Sequence, residues 1–285
     1  MRSCLHSIKK CKRAILVYRH RRDKSGKGWK AMKKYAVVTG ASSGIGAEFA
    51  KRLAKEGYGL VLAARREDRL KKIKKHVKTE CEIITADLTK EIECYRLYHA
   101  VEDKPVAVWI NNAGFGDCGK FKNGELQKEM DMLSVNVRAM HLLTKLALRK
   151  MERQKYGSIL NVASCAGLMP AGPYMASYYA TKSYVTSLTR AIAEELRSDG
   201  SPIYIGCLCP GPVDTEFNEV ADVEFALKGI SPSYCVRYAL KKMKQRKKVI
   251  IPSLPVRLAM IFGRFLPEEL YIRIAAHQQR RKKKL

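Results

Sequence analysis

Tyr178 and Lys182 stand four residues apart in the stretch SCAGLMPAGPYMASYYATK, residues 164 to 182. On a helix, positions i and i+4 lie on one face, so a phenol and an ammonium point into the same cleft. A phenol titrates at about pH 10 when free, and a neighbouring cation favours its phenolate, so the pair is a proton-transfer device. Ser164, fourteen residues upstream of Tyr178, is its natural third member. It closes the run SILNVAS, residues 158 to 164, which reads as a buried strand ending in a small polar residue. Ligands of open α/β sheets bind where strands end in this way. Tyr179 is the rival phenol, at the wrong spacing from Lys182 for the same face.

Other elements must supply a partner for this device. YAVVTGASSGIG, residues 35 to 46, reads as strand, tight turn and helix start, with Gly40, Gly44 and Gly46 letting the backbone come close to a ligand. The helix start offers free N–H groups and a positive dipole end to a pyrophosphate, with Ser42, Ser43 and Ile45 in the same turn. The amphipathic helix expected over 47 to 56 meets the contextual test for a dinucleotide site. The next strand, 59 to 64, ends in Ala-Ala-Arg-Arg. A carboxylate at this strand end would hold the ribose 2′-hydroxyl of NAD, whereas Ala64 followed by Arg65 suits the 2′-phosphate of NADP. The competing reading makes Arg65 a surface residue opening a basic helix over 66 to 78. Further strands are expected at 82 to 86, 105 to 110, 203 to 209 and 247 to 251. Long helices are expected at 126 to 151 and 178 to 197, the first interrupted in pattern at Ser134 to Val137. Strands alternating with helices predict one doubly wound α/β domain around a parallel sheet.

Taken together, TGxxxGIG at the first turn and the Ser164, Tyr178 and Lys182 set resemble the short-chain dehydrogenase/reductase family over about residues 33 to 252. The resemblance implies a Rossmann-type fold and a hydride transfer between NADP(H) and a carbonyl or secondary alcohol. It implies that Ser164, Tyr178 and Lys182 are catalytic, and that Asn136 joins them through a water to the lysine. Asp87 and Leu88 match the segment beside the adenine, and Asn112, Ala113 and Gly114 the NNAG element beside the cofactor. Pro210, Gly211, Val213 and Thr215 match the segment that closes over the nicotinamide and diphosphate. As a departure from many NADP-dependent members, Ser42 and Ser43 stand where a basic residue is common. Asp87 has a competing reading as a helix N-cap.

The chain has 285 residues, enough for one domain of this class, and 46% of them are hydrophobic. Its formal charge is +28, with 55 Lys and Arg against 27 Asp and Glu. Much of the excess sits at the ends: thirteen basic residues precede Tyr35 and five lie between Arg280 and Lys284. Residues 1 to 31 are expected to be a basic, disordered extension, with Met32 a natural start, and the domain to run from 32 to 285. Nucleic acid is disfavoured as a partner once the tails are set aside. Nine cysteines without paired CxxC spacing suit a reducing, cytoplasmic setting, and no metal site is expected. Cys207 and Cys209 read as small buried hydrophobes. The substrate side is expected from residues 115 to 121, 168 to 174 and 217 to 229. Leu258, Ile261, Phe262 and Phe265 make one apolar stripe near the C-terminus, with Arg257 and Arg264 beside it. That stripe suits a pocket wall, a subunit contact in a homodimer or homotetramer, or a peripheral membrane contact. The ending Lys-Lys-Lys-Leu resembles a dilysine retrieval signal, with chance the simpler account. A non-catalytic NADP-binding regulator of the same fold is the alternative to a ketone reductase acting on a steroid, 3-oxoacyl, sugar or xenobiotic carbonyl.

Overall fold

Successive residues of an extended strand point to opposite faces, so a strand covered on both sides must be apolar throughout. β2 (Gly59–Ala64, GLVLAA) is buried at every position, and β1 (Tyr35–Thr39) at all but its first. In the computed structural model, which describes residues 33–217, 221 and 229–283, these two strands lie inside a seven-stranded parallel sheet. The other strands are β3 (Cys81–Thr85), β4 (Val106–Asn111), β5 (Ser158–Val162), β6 (Tyr204–Leu208) and β7 (Val249–Ile250). Their order is β3-β2-β1-β4-β5-β6-β7. The sequence-based expectation of a doubly wound parallel sheet therefore holds, with strand ends displaced by one or two residues. The order reverses between β1 and β4, and that switch point opens a crevice at the strands' carboxyl ends.

The helices divide by the face they cover. Ala36, Val38, Leu60 and Leu62 pack with α1 (Gly44–Lys55) and α2 (Glu67–His76), in a core that also takes in α7 (Pro232–Lys244). Val37, Val61 and Ala63 pack on the other face with α3 (Glu91–His99), α5 (Met140–Gln154) and α6 (Ala176–Ser198). A buried polar network ties this second layer to the sheet. Asn111 Nδ2 donates to Asn161 Oδ1 at 2.9 Å and to Thr144 Oγ1 at 3.0 Å, and Asn161 Nδ2 donates to Thr189 Oγ1 at 2.9 Å. Buried amides satisfied in this way fix one register between β4, β5, α5 and α6, because any slip would strand their polar atoms.

Two helical features differ from expectation. The helix expected over 126 to 151 is α4 (Leu126–Leu133), a π-helical segment Ser134–Ala139, and then α5. The interruption in its pattern marks that wider turn. The chain also ends in two helices rather than one helix and a basic tail: α8 (Leu254–Phe262) is followed by α9 (Glu268–Lys283). Among the described residues, no helix is long and apolar enough to cross a membrane. The N-terminal extension to residue 31, Met32 and the final Lys-Leu lie outside the described residues.

Candidate active site

The turn after β1 is built on contacts that leave no room for a side chain. Gly40 has φ +61°, and a Cβ at Gly46 would stand 2.2 Å from the Gly40 carbonyl oxygen and 2.6 Å from Asn112 Nδ2. Asn112 is a clamp from β4, its Nδ2 donating to the carbonyls of Thr39 at 3.0 Å and Gly40 at 3.1 Å. Thr39 Oγ1 returns the contact by accepting from the backbone N–H groups of Asn112 and Ala113. The first turn of α1 is thereby held beside the switch point, with Gly44 and Ile45 lining the crevice, and a helix start in that place fits the diphosphate of a dinucleotide. Thr215 packs against Gly44 from the loop after β6.

Ser164, Tyr178 and Lys182 converge at the end of β5. Ser164 Oγ accepts from Ala166 N at 3.2 Å, which leaves its own proton to donate. The short 3₁₀ turn Cys165–Leu168 lies directly on α6, where a Cβ at Gly167 would be 2.2 Å from the Lys182 carbonyl oxygen, and this closeness holds Ser164 over the helix. Lys182 Nζ donates to the Val162 carbonyl at 3.1 Å and sits 5.7 Å from the centroid of the Tyr178 ring. Tyr178 and Lys182 are both buried.

Burial decides their proton affinities. The Tyr178 phenol is raised above its ordinary value by loss of solvent, and a hydrogen bond with Ser164 opposes the rise. Lys182 is lowered to about 8, again by burial. The lowering expected from the lysine neighbour is therefore not what governs the phenol: loss of solvent around it is the largest effect. The Tyr178 phenol keeps its proton at neutral pH.

Asn136 is placed by the π-helical segment, a wider turn often found at functional sites. It is 1% exposed, and its amide is fully engaged. Oδ1 accepts from Phe115 N at 3.1 Å, while Nδ2 donates to the Phe115 carbonyl at 2.8 Å and to Thr181 Oγ1 at 3.2 Å. Gly114 packs against both Asn136 Oδ1 and Lys182 Nζ. Asn136 thus clamps residues 114 and 115 to α6 from behind the site.

These parts open into one cavity of about 1160 Å³. Of the expected residues, Gly40, Ser42, Ser43, Gly44, Ile45, Arg65, Asp87, Leu88, Asn112, Ala113, Gly114, Ser164, Tyr178, Lys182, Pro210, Gly211, Val213 and Thr215 line it. Gly46 and Asn136 stand behind the wall. Asp87 does not cap α3, whose N-cap is Lys90; its carboxylate accepts from Thr89 N and Oγ1 in a local turn. The substrate side is apolar, with Phe115, Met169, Met175 and Phe217, but Phe121 is exposed away from it. Residues 218–220 and 222–228 of the expected substrate segment lie outside the described residues. α8 turns Pro255, Val256, Ala259 and Met260 to the cavity, and Phe262 reaches its rim while remaining 65% exposed; Leu258, Ile261 and Phe265 of the expected stripe are exposed away from it.

Three contributors were not anticipated. Arg66, next to Arg65, crosses the glycine turn: its guanidinium donates to Ser43 Oγ at 2.8 Å and to Glu216 Oε2 at 2.9 Å. Arg69 joins it on Glu216, and the two cations hold that carboxyl below its ordinary value. Thr39 was legible only as a polar residue ending an apolar strand. The third is α9, which brings Tyr271, Ile274, Gln278 and Gln279 to the wall. Their spacing of three, four and one is helical, but the mixture of Gln, His and Arg around them hides the apolar face.

The fold and this site are those of an α/β protein whose crevice suits a dinucleotide. A family model for short chain dehydrogenases matches residues 34–224, and the chain belongs to that family. It is 35% identical over 243 residues to a very-long-chain 3-oxoacyl-CoA reductase of Kluyveromyces lactis, a match that spans 81% of this chain and 62% of that relative. An uncharacterized oxidoreductase of Staphylococcus epidermidis is 32% identical, over 68% of this chain and 84% of the relative. Among solved structures, the short-chain dehydrogenase of Sphingobium yanoikuyae in complex with NADPH superimposes with a TM-score of 0.73 at 28% identity, covering 81% of this chain and 93% of that one.

Proposed function

We propose that the protein is an NADP(H)-dependent reductase of a ketone on a mostly apolar substrate, working in reverse on the secondary alcohol. The observation that carries this reading is the convergence of Ser164, Tyr178 and Lys182 on one wall of a cavity whose other walls are a glycine turn and the apolar faces of α8 and α9. When bound, the reduced nicotinamide supplies the hydride that reaches the carbonyl carbon. Tyr178 donates its proton to the carbonyl oxygen, Ser164 hydrogen-bonds the same oxygen, and Lys182 holds the ribose. The phenolate left behind is stabilised by the Lys182 ammonium until it is reprotonated. The glycine turn with Ser42, Ser43 and Ile45 would take the diphosphate, Asp87 and Leu88 the adenine side, and Arg65 with Arg66 the 2′-phosphate. The segment from Pro210 to Thr215 would cover the nicotinamide, and Asn136 would hold residues 114 and 115 in place for it. The relative named for 3-oxoacyl thioesters makes these the first substrates to try. A non-catalytic NADP-binding regulator would use Lys182 to hold the ribose but would have no use for the Tyr178 proton. The test is oxidation of NADPH and of NADH over steroid, 3-oxoacyl, sugar and simple aryl ketones; absence of turnover with every carbonyl, under conditions where NADPH binds, overturns it.

A further inference from the structure

The substrate end of the cavity contains one polar feature that hydride transfer leaves unused. Gln279, on α9, is 2% exposed, and its Nε2 donates to the hydroxyl of Tyr179 on α6. Its Oε1 is buried and has no hydrogen-bond partner among the described residues. Both side chains line the cavity, amid Met169, Met175, Met260 and Ile274. The Tyr179 ring meets that of Tyr178 edge-on with centroids 6.4 Å apart, so this polar pair faces the same space as the proton donor. An unpaired buried carbonyl oxygen costs free energy comparable to a lost hydrogen bond, and it is retained where a bound group completes it.

We infer that Gln279 and Tyr179 form a second substrate subsite, which receives a group that both donates and accepts hydrogen bonds, such as a hydroxyl or a secondary amide, on the apolar body of the ketone. This inference rests on the reductase reading above and adds the substrate's second functional group to it. Gln279 Oε1 accepts the donor of that group. Tyr179, having accepted from Gln279, keeps its own O–H to donate to the group's oxygen. Burial raises the Tyr179 phenol above its ordinary value, so that proton is present at any working pH. Exchanging the oxygen and nitrogen of the Gln279 amide changes which partner donates, but it still leaves the pair one donor and one acceptor to offer a bound group. An alkyl ketone leaves Oε1 unpaired, and an ether presents an acceptor alone.

The experiment uses ω-hydroxy and ω-acetamido methyl ketones of graded chain length, each beside its ω-methoxy analogue and its unsubstituted parent. Binding to the full-length protein saturated with NADP⁺ is measured by calorimetry, and KM by NADPH oxidation. At the chain length that spans the two tyrosines, the hydroxyl or amide should bind about tenfold more tightly than the methoxy analogue, the effect of one hydrogen bond at a buried polar atom. Gln279→Leu should abolish that preference while the melting temperature and NADPH affinity persist. If Gln279→Leu does not fold, Tyr179→Phe carries the test, and if neither folds the wild-type comparison decides. Equal binding of hydroxy and methoxy ketones at every length, or a preference that survives in Gln279→Leu, overturns the subsite and leaves the pair as a tether between α9 and α6. A Gln279-dependent binding preference without any turnover would sustain the subsite and overturn the reductase reading instead.

Discussion

Arg66→Ala tests the proposed recognition of a 2′-phosphate on the cofactor. Arg66 is held by Ser43 Oγ at 2.8 Å and by Glu216 at 2.9 Å, with the arginine and glutamate side chains 42% and 39% exposed. An ion pair that open to water is worth at most about 1 kcal/mol. A charge-assisted bond from the guanidinium to a phosphate is worth about 1.5–3 kcal/mol. A 2′-phosphate would therefore displace Glu216 with a net gain of about 1–2 kcal/mol, roughly 5- to 30-fold in affinity. Arg66→Ala should weaken NADPH by that factor and NADH less than about twofold, because NADH has no phosphate at this position. Glu216→Gln should act in the opposite direction, tightening NADPH by removing the competitor. The assay is titration of nucleotide fluorescence at two salt concentrations, since screening should shrink the wild-type preference. Arg65, exposed on the same cavity rim, is run in parallel. Equal losses of the two nucleotides in Arg66→Ala, or a phosphate-specific loss confined to Arg65→Ala, would refute the role given to Arg66.

Tyr178→Phe should lower kcat by at least about 100-fold with little change in melting temperature, as expected for a lost proton donor, whereas Tyr179→Phe should act on KM; stopped-flow turnover of a reduced ketone separates them. Lys182 has its folded pKa lowered to about 8 from 10.5, so the unfolded chain binds more protons between those values and stability should rise with pH across that window. Below it the full penalty is about 3 kcal/mol, and Lys182→Met should flatten the rise and stabilise the nucleotide-free protein at neutral pH, as read from urea midpoints against pH. Phe262→Ala, which trims the exposed rim of the cavity, should raise KM for bulky apolar ketones several-fold and leave NADPH affinity unchanged; a KM that does not move would show that substrate does not reach Phe262.

The sequence by itself determined what short-range physics can specify. Continuous apolar runs marked β1 and β2, and glycine spacing marked the turn between β1 and α1. The fixed interval from Tyr178 to Lys182 placed a phenol and an ammonium on one helical face. The tertiary structure decided whatever depends on groups far apart in the chain. Burial, not the nearby cation, governs the Tyr178 phenol, because desolvation is set by everything packed around α6. Asn136, an unpromising residue for a helix, became a buried clamp once the π-helical segment turned it towards Phe115 and Thr181. Arg66 and Glu216 are 150 residues apart, and only the sheet's switch point brings the loops after β2 and β6 together. α9 was hidden most completely, since its polar composition conceals a helix whose few inward residues meet α6 across a separation of 100 positions, and no local pattern encodes that contact.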